Sequence, residues 1–413
     1  MSNISSNNKI FIYCIYFLSP LLSLLIAIKN YKASWSKNVL WLFVAFYGYT
    51  FVISNEGMDA NRYRDQLILM GQSELSFDNF TSLLYSEETK YVDILQPLIS
   101  FTVSLFTTDY KILFLVFAII FGFFYSRNIW YLIRIADFKV KKEYIPLIIT
   151  FAFIIGFWQI NGFRMWTAAH IFFFGTIQYF FEGKSKGLLL AAFSVLVHFS
   201  FALPLLVIIV YILFKNRVHL YFVLFVLSFF LTEINLGAVR NVLIDIVPNI
   251  FSASIESYTN EDYANRINES LQSNNWYALY YVQALKWVIA LCFGIVYIKS
   301  IVFIKNHKYL FSLYSFTLLF LTVANVMSLI PSGGRFISVA NLFAIAFIIS
   351  FLHQVPKEHY MRRLQVYMIP ALVFYCIVSF RLGLDTIGMV TVLGNPVISI
   401  FFENDSALVD LIK

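Results

Sequence analysis

The sequence predicts an all-α protein, a polytopic bundle of membrane-crossing helices, on three observations. Of 413 residues, 60% are hydrophobic and only 13% charged, where a soluble domain has about 45–50% and about 25%. Mean hydropathy is +0.75, more apolar surface than one core of this length buries. The apolar residues also fall in runs near the roughly 20 residues that span a bilayer. Composition therefore excludes a soluble enzyme, and residues 1–413 read as a single membrane domain. Cys14, Cys292 and Cys376 lie inside apolar runs without CxxC or Cys/His spacing, so neither a disulfide framework nor a metal site is encoded.

The elements follow from length and Lys/Arg bias together. Residues 1–9 lead into an apolar run with no small-residue cleavage site, so 10–28 reads as a retained first span. It pairs with 39–54 through KNYKASWSKN, whose Lys29, Lys32 and Lys37 belong inside, placing the N-terminus outside. Residues 55–92 form an acidic outer segment. Both 92–107 and 112–133 are apolar, yet only one can cross without exporting the basic turn with Arg134, Lys139, Lys141 and Lys142. The stretch 92–107, with Pro97 near its start, is therefore a re-entrant or interfacial helix. Further spans fall at 144–161, 164–181, 187–199, 200–214, 219–236, 276–304, 309–330, 336–352 and 364–381, about twelve crossings in all. The 28 residues of 187–214 are too few for two full crossings, so they form a shallow hairpin turning near His198 and Pro204. Residues 237–275 are a long outer loop, and the tail 383–413 is outside as well.

Six inner connections then hold 16 of the 30 Lys/Arg against Asp137, Glu143, Glu182 and Glu358, which leaves 19 of the 23 acids for the outer side. A net charge of +7 thus reports topology and not a nucleic acid partner.

Ionisable groups inside or at the edge of apolar helices are costly and mark functional sites. Arg164 opens a helix in FWQINGFRMWTAAH, His198 lies in VLVHFSF, Arg335 opens a helix after Gly333 and Gly334 in PSGGRF, and Arg381 ends the last span. Asp59, Arg62 and Arg64 follow the second span in NEGMDANRYRDQ. All map to one membrane depth, and together they describe an anion site. Guanidinium groups stay charged when partly buried and grip phosphate oxygens in bidentate fashion, which suits a lipid-linked phosphate or pyrophosphate. Helix starts at Arg164 and Arg335 add N–H groups and the dipole, and Gly333 and Gly334 permit close backbone approach. His198 is a base of the right type for an attacking sugar hydroxyl, with Asp59 the competing one. Blander readings stand beside these. Arginines at helix ends often only anchor a span at the headgroups, which is the favoured reading for Arg381. A lone histidine in an apolar helix is more often a packing residue, as His170 is read here, and Asp59 with Arg62 is equally a local ion pair or helix cap.

The order of motifs, WLFVAFYGYTFVISNEGMDANRY, INGFRMWTAAHIFFFG, LLLAAFSVLVHFSFALPLL, PSGGRF and the closing GNPVISIF, resembles the EpsG/Wzy-like family of bacterial polysaccharide polymerases over most of the chain. NGFRxxxA followed by the histidine is its most specific part. The resemblance implies a glycosyltransferase of the broad GT-C type in the bacterial cytoplasmic (inner) membrane, with its active site facing the periplasm. It implies undecaprenyl-pyrophosphate-linked oligosaccharides as both donor and acceptor, membrane lipid around them, and a separate chain-length regulator as partner. No nucleotide sugar, cofactor or metal is called for. Carried over by position, Arg164, His198, Arg335 and Asp59 match the family's motif residues; Asn161 of NGFR and the extra Arg62 and Arg64 join them as candidate pyrophosphate contacts. A ligase attaching finished glycan to another acceptor is chemically close. A lipid-linked oligosaccharide flippase would need arginines through both leaflets, whereas these cluster at one depth. An acyl-CoA-dependent acyltransferase would need its histidine on the opposite side.

Overall fold

The computed structural model describes residues 6–53, 59–72, 93–233, 275–356, 359–402 and 406–412, with single positions or pairs at 236–237, 240–241, 244 and 259. The two outer segments expected at 55–92 and 237–275 lie for the most part outside the described residues. Helices and 3-10 turns account for the named elements, with no strand among the described residues. The helices are α1 Ser6–Leu18, α2 Pro20–Lys29, α3 Ser36–Tyr49, α4 Asp59–Gln72, α5 Leu95–Ser104, α6 Tyr110–Ile135, α7 Ile145–Ile154, α8 Phe163–Glu182, α9 Lys186–Val197, α10 Ala202–Phe214 and α11 Val218–Leu227. After them come α12 Trp276–Lys305, α13 Lys308–Met327, α14 Arg335–Gln354, α15 Tyr360–Gly383, α16 Met389–Leu393 and α17 Leu408–Ile412.

Among the described residues, six stretches are long and apolar enough to cross a membrane, namely 110–135, 142–182, 276–305, 308–327, 335–354 and 360–383. Five shorter apolar helices of 10–17 residues accompany them. The difference from about twelve expected crossings has local causes. Residues 10–28 are not one span: Ser19 is extended, its side chain caps α2, and Pro20 opens that helix, since proline suits a first turn and breaks an interior. The chain folds back there, for Ile12 shares a small apolar cluster with Ala27, Trp35 and Val39. Residues 144–161 shorten to the ten-residue α7, because Gly156 leads into a 3-10 turn, Phe157–Gly162, before α8 starts. The stretch 219–236 yields only the ten residues of α11, about 15 Å of helix.

Packing sorts the connections into two ends. At one end the six basic connections meet: Trp130 Nε1 donates to the Tyr31 carbonyl at 3.0 Å, Arg134 pairs with Glu182, His353 with Asp137 at 3.1 Å, and Arg362 with Glu143. Phe181 lies 5.0 Å from Tyr309, and Lys305 reaches His219 at 3.2 Å. At the other end, Phe51 stacks on Phe114 at 4.6 Å, the Tyr47 and Thr386 hydroxyls bond at 2.7 Å, and Trp158 packs on Phe380. The tail caps this second end, with Val52 clustered against Ala407 and Val409. Helix α5, ten residues long, belongs wholly to it, since Ile94 N–H bonds the Leu196 carbonyl just before α5 begins and α6 follows directly.

Helix α14 is the central column, buried inside the protein over nearly its whole length. It is apolar around its circumference, as a helix without a water-facing side must be. Phe343 meets Phe172, Phe173, Phe316 and Phe320 within 6 Å, mostly in tilted or edge-to-face contacts. Helices α8 and α9 approach closest at Gly175 and Gly187, where a Cβ on either would sit 2.4 Å from the other's carbonyl oxygen. Small residues are what allow backbones this near in a bilayer.

Candidate functional site

The site is made where α9 ends. His198 leaves the helix with an extended backbone (φ −152, ψ 116), while its N–H still bonds the Ser194 carbonyl; a 3-10 turn, Phe199–Phe201, then starts α10. The hairpin expected over 187–214 therefore turns at His198, with Pro204 inside the first turn of α10. A helix that stops and restarts leaves carbonyls and N–H groups without helical partners, and one strap supplies them. Ile94 N–H takes the Leu196 carbonyl at 3.1 Å, and Asp93 Oδ1 accepts Phe199 N–H at 2.8 Å.

Asp93 Oδ2 is the meeting point of the turn. It accepts His198 Nδ1 at 2.8 Å and Arg164 Nη1 at 3.1 Å, with Asp93 1% and His198 6% exposed. Burial pushes the Asp93 carboxyl up, but the His198 hydrogen bond and charge, the Arg164 charge and the Phe199 N–H outweigh it and hold the group below its ordinary value. With Asp93 ionised, His198 Nδ1 is the donor, and in the neutral ring Nε2 is the nitrogen that carries the lone pair. No described residue bonds that nitrogen.

Arg164 is the second residue of α8, and its Nε donates to the Tyr63 hydroxyl at 3.3 Å. Tyr63 is buried against Phe117, which stacks on Phe163 at a centroid distance of 4.0 Å, so α4, α6 and α8 lock around the guanidinium. Arg335 opens α14 beside the same turn, since the Phe336 ring lies 6.3 Å from Phe201. Its side chain is exposed and makes no hydrogen bond or ion pair among the described residues. Arg164, His198 and Arg335, which come from three separate motifs, thus gather at the same end of the bundle.

The remaining candidates have other neighbours. Asn161 Oδ1 accepts the Ala60 N–H at 3.0 Å and so caps α4 from another helix. Asp59 pairs with Arg62 one turn along α4, and Arg64 with Asp65 at 3.0 Å. Gly333 is packed on its own chain: a Cβ there would come 1.9 Å from the Met327 carbonyl oxygen, while Gly334 faces open space. Arg381 is paired with Asp385 at 3.0 Å. His170, buried between Phe121 and Tyr125 with Asn128 on its Nδ1, is a packing residue. Among the described residues no group of three His, Cys, Asp or Glu is placed to hold a metal ion.

Sequence reasoning missed Asp93. A signal existed, an acid directly before an apolar run, which is the criterion that picked out the arginines.

No curated protein and no solved structure matches the chain. The sequence profile of the EpsG family matches residues 39–389, a stretch that contains Asp59, Asp93, Arg164, His198 and Arg335 together with every helix that holds them. With the match running through the whole of this site and most of the bundle, the chain belongs to the EpsG family, a Wzy-like polymerase family.

Proposed function

We propose that the protein is a polysaccharide polymerase that transfers a growing glycan from undecaprenyl pyrophosphate to the nonreducing-end hydroxyl of a new lipid-linked unit. The observation that carries this reading is the buried carboxylate on His198 Nδ1, which leaves Nε2 to act as a base beside Arg164, with Arg335 opening α14 at the same end of the bundle. In the transfer the acceptor oxygen bonds the anomeric carbon as the bond from that carbon to the pyrophosphate oxygen breaks. The hydroxyl proton passes to Nε2, and the bonding pair leaves with the pyrophosphate. Asp93 holds the ring in the useful tautomer and stabilises the imidazolium. Arg335, with its fork unengaged among the described residues, receives the leaving group's charge, and Arg164 adds positive potential while it positions Asp93.

The six basic connections meet at the end away from the site, so the positive-inside rule turns the site to the outer face of the cytoplasmic membrane. The broken and short helices, paired as hairpins, complete about twelve crossings in a GT-C-type bundle. A separate chain-length regulator is the expected protein partner. The test is purified protein in liposomes with a synthetic undecaprenyl-pyrophosphate oligosaccharide. A product ladder lost in His198→Ala supports polymerisation at this site. Movement of intact substrate between leaflets without a ladder would point to transport instead.

A further inference from the structure

Beyond the His198 turn, the same end of the bundle has a second basic feature. A cavity of about 260 Å³ opens between the end of α3, the start of α6 and the tail, with Arg64 and Lys111 in its lining. Among the described residues they are the only Lys, Arg, His, Asp or Glu in its lining, Arg64 being paired with Asp65 just outside it, and Tyr49, Tyr110, Ser399 and Phe402 complete the part that matters here. Lys111 Nζ donates to the Phe402 carbonyl and so ties the tail across the opening. Arg64 directly follows Tyr63 on α4, and neighbours on a helix point about 100° apart. Tyr63 meets Arg164 while Arg64 lines the cavity, so α4 is a partition between two cationic sites.

The surroundings say what kind of anion fits. The tail segment that contributes Ser399 and Phe402 also exposes Leu393, Val397, Ile400 and Phe401, at 57–81%. An apolar collar beside a small cationic cavity matches an amphiphile with an anionic head and a long hydrocarbon chain. The volume lies below the roughly 300–1,000 Å³ of pockets that enclose whole small molecules, so the cavity takes a head group and leaves a sugar chain outside. Ends of helices that span the membrane set its depth, which is where the diphosphate of a membrane-held lipid sits.

A reaction between two lipid diphosphates needs two anion sites at once, and the arginines beside His198 serve one. We infer that the Arg64–Lys111 cavity holds the diphosphate of the second lipid-linked substrate, the acceptor, with its polyprenyl chain along the tail. This inference rests on the polymerase reading. The two sites on either side of α4 would then present donor and acceptor glycans to one base.

Native mass spectrometry of the detergent-purified protein, with undecaprenyl diphosphate as probe, counts the sites. Wild type should bind two molecules, Arg64→Gln/Lys111→Gln one, and Arg335→Gln one, each variant's remaining molecule reporting that it is folded. A tenfold excess of phosphatidylglycerol should leave the count unchanged. Two molecules still bound to the double variant, or displacement of one by phosphatidylglycerol, would overturn the cavity assignment and leave the polymerase reading standing. A single wild-type molecule lost only in Arg335→Gln would do the same. One lost only in the double variant would support the cavity and remove the proposed donor site. A wild type that binds none would overturn both.

Discussion

Replacing Asp93 with asparagine is the most informative single perturbation. Three donors converge on this carboxylate: Phe199 N–H on Oδ1, His198 Nδ1 and Arg164 Nη1 on Oδ2. An asparagine has one acceptor oxygen. If it keeps Phe199, its NH2 faces both the imidazole and the guanidinium, and His198 must accept at Nδ1 and move its hydrogen to Nε2. The base is then lost with the site's shape intact. Removing an aspartate's charge behind a catalytic histidine in another enzyme class lowers kcat about 10⁴-fold, and a general base contributes about 10²–10⁴. We therefore expect a fall of about 10²–10⁴ in polymerisation rate, or about 2.7–5.4 kcal/mol of transition-state stabilisation. Each buried donor left facing another donor costs about 1–3 kcal/mol in stability. The assay is initial-rate chain extension in liposomes, with thermal unfolding of the same preparation. The pH dependence of stability has a fixed sign. The folded Asp93 carboxyl titrates below its unfolded value, so its contribution is complete above about pH 4 and disappears as pH falls through the folded pKa. The stability gap between wild type and Asp93→Asn should close in that direction. A folded Asp93→Asn protein with more than a tenth of wild-type rate would refute the orienting role.

Arg335→Lys keeps the charge but loses the bidentate fork, so we expect at least a tenfold lower rate with stability within about 0.5 kcal/mol of wild type; a wild-type rate would remove Arg335 from the reaction. Gly333→Ala should destabilise by about 1–3 kcal/mol through the clash with the Met327 carbonyl, and an unchanged melting temperature would show that the turn yields. In a cysteine-free background, Thr108→Cys should react with an impermeant maleimide added to intact cells and Ser185→Cys should not; both positions are exposed, at opposite ends of the bundle, and the reverse pattern would invert the topology.

The long spans were legible because an apolar run of bilayer length has few alternatives: α6, α12, α14 and α15 begin and end within four residues of where hydropathy puts them. The turn at His198 was legible from length, since 28 residues could not cross twice. Short helices were harder. Pro20 and Gly156 interrupt stretches that are apolar on both sides, and hydropathy is blind to a backbone break. Asp93 was hidden by context. It follows an acidic segment where carboxylates need no explanation, and its partners lie 71 and 105 residues away. Asn161 shows the converse, a residue in a specific motif whose side chain caps a helix from a different part of the chain.

The strap between Asp93, Ile94 and the His198 turn also sets how early in biosynthesis the site can begin to form. Asp93 leaves the ribosome 105 residues ahead of the histidine it orients, and its first carboxylate partner, Arg164, follows 71 residues behind it. Until α9 has been delivered to the bilayer, the aspartate has neither the imidazole nor the Phe199 N–H to hold it, and a charged carboxylate without partners stays in water. The strap therefore closes late, over helices already inserted. A nascent chain halted before residue 198 carries Arg164 but neither the histidine nor Arg335, so half-made copies in the membrane hold no complete site.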